Sequence, residues 1–332
     1  VTAPFTLDEL RAASELVRRH VPPTPQYRWP LLEAHVPGAA SVWVKHENHT
    51  PTGAFKVRGG LVHLARLARD EPGLPGVVSA TRGNHGQSIA LAAGLHGIPA
   101  TIVVPHGNSP DKNAAMRAFG AELIEHGHDF QAAREHAAAL AAERGLRMVP
   151  SFHHDLVLGV ATYALELFEA VAAAGPPLDV VYVPVGMATG ICALIAVRDL
   201  LALPTRIVGV VAERAPATAL SFHAGAAVAT DTADTFVDGV ACRSPDPAAV
   251  AAIVRGAERI VQVPEEATAR AIGVLHATTH NLAEPAGAIA TAAMLAEAGG
   301  LAGRHVATVL TGGNLDAGIL VEVLAGRTPR PA

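Results

Sequence analysis

Val180-Val-Tyr-Val-Pro-Val-Gly-Met-Ala-Thr-Gly190, running on into Ile191–Leu200, sets the pattern for the whole chain. Its first six residues read as a strand buried on both faces. Gly186–Gly190 reads as a tight loop of small residues, and the apolar segment after it as a helix. The same order recurs elsewhere. Val77–Ala80 runs into Thr81-Arg-Gly-Asn-His-Gly86 and the helical spacing of Gln87–His96, and His305–Leu310 runs into Thr311-Gly-Gly-Asn314. Further strands are expected at Ser41–Lys45, Ala100–Pro105, Arg206–Ala212 and Arg259–Val263, and further helices at Asp111–Phe119 and Asp129–Arg144. Strand, turn, helix and strand build right-handed βαβ units and parallel sheets. One series runs from about Val77 to Phe152, another from Val180 onward. The fold class is therefore α/β with two open parallel domains, a small one over 76–152 inserted in a large one made of 1–75 and 153–332. Ligands of such sheets bind at the carboxyl ends of the strands. Those ends carry the loops beginning at Thr81, Gly186 and Thr311.

Half of the 332 residues are apolar and 17% are charged, which suits a packed core and argues against disorder. A net charge of −5, with both signs evenly spread, offers nothing to nucleic acid or an anionic membrane. Cys192 and Cys242 are too few for a disulfide framework and read as free thiols of a reducing compartment. Thr6 reads as the N-cap of a first helix running toward His20. The segment Val1–Leu10 lacks the pattern of a signal peptide. No apolar run is expected to reach the roughly 20 residues that span a bilayer. These features lead to the expectation of a soluble, cytoplasmic protein.

Only Lys45, Lys56 and Lys112 among the 25 Lys and Arg residues are lysine. Arg stays protonated in proteins, whereas a desolvated Lys becomes a nucleophile or a base. Lys56, within Pro51-Thr-Gly-Ala-Phe-Lys-Val-Arg-Gly-Gly60, therefore points to amine chemistry such as imine formation with an aldehyde. The alternative is a lysine that snorkels from a buried helix turn. A loop like Gly186–Gly190 at a helix N-terminus presents backbone N–H groups that bind phosphate, although a purely structural turn needs similar residues. It lacks the Lys and Ser/Thr of a triphosphate-binding loop, and no G-x-G-x-x-G occurs in the chain. Gly83–Gly86 suits a carboxylate and leaves Asn84 for a second group, while Thr311 points a hydroxyl at the crevice. His46-Glu-Asn-His49 is one residue short of the zinc-protease spacing. His126-Gly-His-Asp129 and His153-His-Asp155 carry metal-ligating side chains, but solvated or capping roles outweigh ligation, and no metal is expected. His153 or His154 could line a pocket, since they follow the last strand of the small domain.

Lys45-His-Glu-Asn48, Pro51–Gly59, Ala80-Thr-Arg-Gly-Asn-His-Gly86, Pro184-Val-Gly-Met-Ala-Thr-Gly190, Glu284-Pro-Ala-Gly287 and Thr311-Gly-Gly-Asn314 stand in an order that resembles the fold-type-II pyridoxal-phosphate enzymes. The resemblance is to the serine/threonine dehydratase and serine racemase branch, and it covers nearly the whole chain. It implies a tryptophan synthase β-like fold, with the active site between a large cofactor-binding domain and a small domain that closes on the substrate. It implies pyridoxal 5'-phosphate as cofactor and Lys56 as the Schiff-base lysine. Phe55 would pack beside the cofactor ring, Asn84 would bond its 3′-oxygen, and Thr311 would face its nitrogen. Gly186, Met187, Ala188, Thr189 and Gly190 would hold the phosphate. Thr81, Arg82, Gly83, Asn84, His85 and Gln87 would hold the substrate carboxylate. The implied reaction is α,β-elimination of water from a 3-hydroxy-2-amino acid such as threonine or serine, giving a 2-oxo acid and ammonia, with Lys56 as base. A homodimer is the implied assembly.

The chain departs from that pattern at several points. Met187, Ala188 and Thr189 replace glycines, and Ala54 replaces a serine. Arg82 stands where racemases carry a serine that acts as second acid and base, and Arg cannot deprotonate, so racemisation is disfavoured. Val211 stands where the racemase-like branch has a metal-binding Glu, so no metal is expected there. Together Ala54, Arg82 and Met187 suggest a specialised pocket for a bulkier 3-hydroxy amino acid such as phenylserine, or an acidic one such as 3-hydroxyaspartate. The reading from a different class is a non-catalytic protein that binds a phosphate-bearing effector.

Overall fold

The computed structural model describes residues 4–331. Its strands are β1 (Gln26–Arg28), β2 (Ser41–His46), β3 (Val77–Ala80), β4 (Ala100–Val104), β5 (Glu122–Glu125), β6 (Arg147–Met148), β7 (Val180–Pro184), β8 (Arg206–Ala212), β9 (Arg259–Val263) and β10 (His305–Leu310). They form a six-stranded sheet in the order β1-β2-β10-β7-β8-β9 and a four-stranded sheet in the order β5-β4-β3-β6. Every pairing is parallel except that of the edge strand β1 with β2. β3, β4 and β7 are buried along their whole length, as expected of strands covered on both faces.

Seven of these strands lie where the sequence pattern puts them, and β1, β5 and β6 are additional. The first helix, Leu7–Arg18, begins at Thr6 in a capping box with Glu9, so two otherwise orphaned N–H groups are satisfied reciprocally. One helix departs from expectation. His154–Ala174 has 21 residues and a mean hydropathy of 1.7, long and apolar enough to cross a membrane, yet 78% of that apolar window is buried inside the fold. It packs against the helices Leu7–Arg18, Lys56–Asp70 and Thr189–Leu200.

Two close backbone approaches and one charged cluster fix the helix that starts at Lys56. A Cβ on Gly59 would sit 2.9 Å from the Leu156 carbonyl oxygen, and one on Gly159 would strike the Arg58 carbonyl, so the two helices cross nearly in backbone contact. Beneath the crossing, the fully buried Arg58 guanidinium donates to Glu47 (2.7 and 3.0 Å) and to Glu166 (2.9 and 2.9 Å). Lys45 Nζ donates to the same Glu166 at 2.7 Å. Two cations and two carboxylates thus neutralise one another out of water, each with several hydrogen bonds, as buried charges require. The burial of Lys45, a snorkelling candidate by type, follows from Glu166.

Candidate active site

Between the two sheets, at the carboxyl ends of β3, β7 and β10, lies a cleft of about 1030 Å³ including its open mouth. Phe55, Lys56, Thr81, Arg82, Gly83, Asn84, His85, Gly186, Met187, Ala188, Thr189, Gly190 and Thr311 all line it. These come from four separate segments, brought together by the βαβ topology at the point where strands give way to helices. Gln87, on the same helix Asn84–Gly94 one turn after Asn84, is buried and is not among the residues that line the cleft. His153 and His154 also lie elsewhere: His154 packs edge-on against Phe5, and His153 joins His63 and Asp155.

Lys56 Nζ lies 4.9 Å from the Phe55 ring centroid and donates to Thr189 Oγ1 at 3.2 Å. Burial pushes the amine down to about 8, opposed by the negative charge of Glu284. The lysine is therefore a desolvated base and not a snorkelling cation. Phe55 is held edge-on to Tyr163 at 6.1 Å, and the Tyr163 hydroxyl donates to the Gly190 carbonyl at 3.3 Å. That contact joins the lysine segment to the loop after β7.

The loop Gly186–Gly190 has the properties of an anion cradle. Ala188 caps the helix Thr189–Leu200 in the left-handed region (φ 67°) and gives no side-chain acceptor to its first N–H groups. A Cβ on Gly186 would strike the Gly239 carbonyl oxygen, so only glycine fits there. Unpartnered backbone donors at a helix N-terminus suit a phosphate. Thr311 is buried, and its hydroxyl makes only a 3.3 Å bond to the Ala286 carbonyl, leaving a neutral group at the cleft. The residues present thus fit a phosphate-bearing ring with an aldehyde: a cradle, an amine, an aromatic face, an amide and a hydroxyl.

The carboxylate loop opens the helix Asn84–Gly94 without a side-chain cap. Arg82 on this loop is half-buried and enters none of the ion pairs among the described residues. The His85 imidazole is buried with Nε2 unpartnered, and burial together with the charge of Lys56 pushes its titration down to about 3, so it is neutral. Sequence reasoning missed five polar residues of the wall: Lys112, Ser151, Asp238, Glu284 and Cys242. Lys112 Nζ and Asp238 form a 2.5 Å ion pair. The scarcity of lysine was a signal for Lys112. Glu284 stood in a quoted motif without a role, and nothing in the sequence marked Asp238. Burial holds the Cys242 thiol up at about 11, so it is an unreactive wall residue.

His63, His153 and Asp155 bring three potential metal-binding atoms within 4.8 Å of one another. All three are engaged: Asp155 receives Arg66 at 2.5 Å and His63 Nδ1 at 3.3 Å, and His153 Nδ1 accepts from the Asp155 N–H at 3.2 Å. The group reads as the cap and first-turn ion pair of the helix His154–Ala174.

The family described as pyridoxal-phosphate dependent enzyme matches residues 17–312. The chain is 32% identical over 321 residues to an L-threonine ammonia-lyase of Thermotoga maritima, covering 96% of this chain and 78% of that one. It is 29% identical to an L-threo-3-hydroxyaspartate ammonia-lyase of Saccharomyces cerevisiae, covering 98% of both. Among solved structures it superposes on the processed form of threonine deaminase isoform 2 from Solanum lycopersicum with a TM-score of 0.86 at 26% identity, covering 98% of this chain and 95% of that one. It superposes on maize serine racemase with a TM-score of 0.86 at 25% identity, covering 96% and 97%.

Proposed function

Because this chain belongs to the pyridoxal-phosphate dependent enzymes, we propose that its cleft converts a 3-hydroxy-2-amino acid of the threonine and serine type into a 2-oxo acid and ammonia. The observation that carries this reading is the desolvated amine of Lys56 beside Thr189, at the foot of an anion cradle. The relatives named as threonine ammonia-lyases support the same carbon–nitrogen lyase chemistry.

When bound, pyridoxal phosphate supplies an aldehyde for the substrate amine and an electron sink for the bond that breaks. Gly186–Gly190 would hold its phosphate, Phe55 its ring face, Asn84 and Thr311 the ring's polar edge, and Lys56 its aldehyde carbon. The Lys56 amine would accept the Cα proton of the substrate. Its lowered affinity for protons leaves a useful neutral fraction near pH 7. Thr311, a neutral hydroxyl and not a carboxylate, would hold less positive charge at the ring and so would favour loss of the β-hydroxyl. The backbone of Thr81–His85 receives the substrate carboxylate, and Arg82 reaches the same space.

The acidic substrate class is favoured as the second reading by one feature, the Arg82 guanidinium on the wall, which has no ion-pair partner among the described residues. A 3-hydroxyaspartate side-chain carboxylate would take the bidentate fork of Arg82. The yeast relative is named for that substrate. We further propose that 76–152 moves as a closing unit on 1–75 and 153–332, and that the chain works as a cytoplasmic homodimer. The deciding experiment measures 2-oxo acid release from threonine, serine, threo-3-hydroxyaspartate and phenylserine with enzyme reconstituted with the cofactor. No release from any of the four removes the dehydratase reading.

A further inference from the structure

Glu284 is the wall residue that the reaction outlined above leaves without a task. It precedes the helix Pro285–Ala296, and its side chain does not cap that helix. It is 2% exposed, and its two oxygens differ. Oε1 accepts from Asn84 Nδ2 at 2.7 Å, while Oε2 is buried and has no partner. The contact is built into the fold: Glu284 N–H donates to the Gly312 carbonyl at 3.0 Å, and a Cβ on Gly312 would strike Oε1.

The Asn84 amide is held from both ends. Asn314 Nδ2 donates to the Thr52 carbonyl at 2.8 Å and to Asn84 Oδ1 at 2.7 Å. An NH₂ group is the only end of Asn314 that makes both bonds, so Asn84 must present oxygen to Asn314 and nitrogen to Glu284. One Asn84 N–H is then spent on Glu284, and the other is free toward the cleft. Asn314 thus donates both ways, to Thr52 and to Asn84, and Asn84 donates onward to a carboxyl group.

The charges facing that carboxyl come from every side of the cleft. They are Lys56 at the start of its helix, Lys112 and Asp238 as an ion pair, and Asp316 before the last helix. Burial raises the Glu284 carboxyl to about 7, Lys112 pulls it down, Asp238 pushes it up, the Asn84 bond lowers it, and Asp316 raises it. The adjacent His85 is neutral throughout this range.

We propose that Glu284 is a positioning acid that acts through Asn84, fixing the direction of its amide and changing the charge beside the cofactor's ring oxygen when it gains or loses a proton. This rests on the reading of the cleft as a pyridoxal-phosphate site. With its proton on, Glu284 is a neutral group beside Asn84. With its proton off, it places a buried negative charge next to Asn84, and that charge holds the Lys56 amine back from losing its own proton.

The test titrates the holoenzyme from pH 5.5 to 8.5, as wild type and as Glu284→Gln and Glu284→Ala, following visible cofactor absorbance, kcat/KM and thermal midpoint. Wild type is expected to show a one-proton spectral transition near neutral pH. The infrared carbonyl band of a buried protonated carboxyl should vanish with the same midpoint. In Glu284→Gln, whose amide oxygen can still accept from Asn84, the transition should be absent while cofactor affinity stays within about threefold of wild type. Glu284→Ala strands an Asn84 N–H and should weaken cofactor binding on the order of tenfold. A wild type that binds the cofactor but shows neither transition overturns the inference, as does a Gln variant that titrates like wild type. Should the variants fail to fold, the paired spectral and infrared titrations of wild type still decide. A wild type that binds no pyridoxal phosphate overturns the functional reading instead, which is a distinct result.

Discussion

Lys56 owes its chemistry to placement, because nothing in an isolated lysine would lower its proton affinity to about 8. The sign of the effect gives a test on the cofactor-free protein. Below pH 8 the amine is held protonated and does not attack an aldehyde, and above it the amine is free. Uptake of pyridoxal phosphate, followed by rapid-mixing absorbance, should therefore rise about tenfold per pH unit up to pH 8 and then level off. A rate still climbing at pH 10 would mean an ordinary surface lysine. Lys56→Ala should take up no cofactor covalently and lose turnover by about three orders of magnitude or more. Arg82 supplies the contrasting case at the same scale. It is half-buried in the cleft with no ion-pair partner among the described residues, so its removal should spare the fold and cost substrate. Arg82→Ala should keep the thermal midpoint and the cofactor band and lose about tenfold or more in kcat/KM on the best substrate, on the order of 1.4 kcal/mol. Unchanged ratios across the four-substrate panel would make Arg82 structural.

At the scale of elements, the helix Lys56–Asp70 is placed by the buried group Arg58, Glu47, Glu166 and Lys45 and by its contact with Gly159. Arg58→Met should strip two carboxylates of their main partner in a water-free site and cost about 3–5 kcal/mol, read as a lower urea midpoint with an unchanged slope. A loss below about 1 kcal/mol would show that water enters the cluster. The elements themselves were unevenly legible. β3, β4, β7, β8 and β10 announce themselves because parallel strands covered on both faces are near-continuous runs of Val, Ile and Ala. β1 is a polar edge (Gln-Tyr-Arg), β5 is bounded by Glu122 and Glu125, and β6 is two residues long, so none offers a pattern apart from its neighbours. The helix His154–Ala174 escaped because Glu166 and Glu169 interrupt its apolar run, and only the fold shows that Glu166 faces Arg58 and Lys45. The loops of the site were legible for the opposite reason. Glycines that a close approach demands, such as Gly186, and a lone lysine among arginines leave marks in composition. The pairing of Glu284 with Asn84 depends on packing between segments 200 residues apart and leaves none.

Across the whole molecule, few polar contacts tie the four-stranded unit to the six-stranded one over the cleft. Asn84 bridges Asn314 and Glu284 at 2.7 Å each, Ser109 donates to Asp316 at 2.5 Å, Lys112 pairs with Asp238 at 2.5 Å, and Arg243 approaches Asp129 at 3.5 Å. The last pair is about half exposed on the arginine side and is worth little alone. Asn84, Glu284, Lys112 and Asp238 belong to the wall, whereas Ser109 and Arg243 lie outside it, although Ser109 Oγ also caps the helix Pro110–Ala118 by accepting from the Lys112 N–H at 3.3 Å. If 76–152 closes on the substrate, these contacts stabilise the closed form only, and removing them lowers its population without altering the chemistry inside it. The double variant Ser109→Ala with Arg243→Ala gives up the Ser109 helix cap and, across the cleft, one charge-assisted hydrogen bond and one weak ion pair, the two cross-cleft contacts together being worth about 1–2 kcal/mol. Substrate binding should weaken by roughly 5- to 30-fold on that scale. The expected signature is a raised KM with kcat within about twofold, a thermal midpoint within about 2 °C, and a larger radius of gyration in small-angle scattering of the substrate-free enzyme. An unchanged KM beside an unchanged radius would mean that the two units are held by their apolar contacts and that the cleft does not open by this hinge. A fall in kcat with KM intact would place the contacts in the reacting geometry and not in closure.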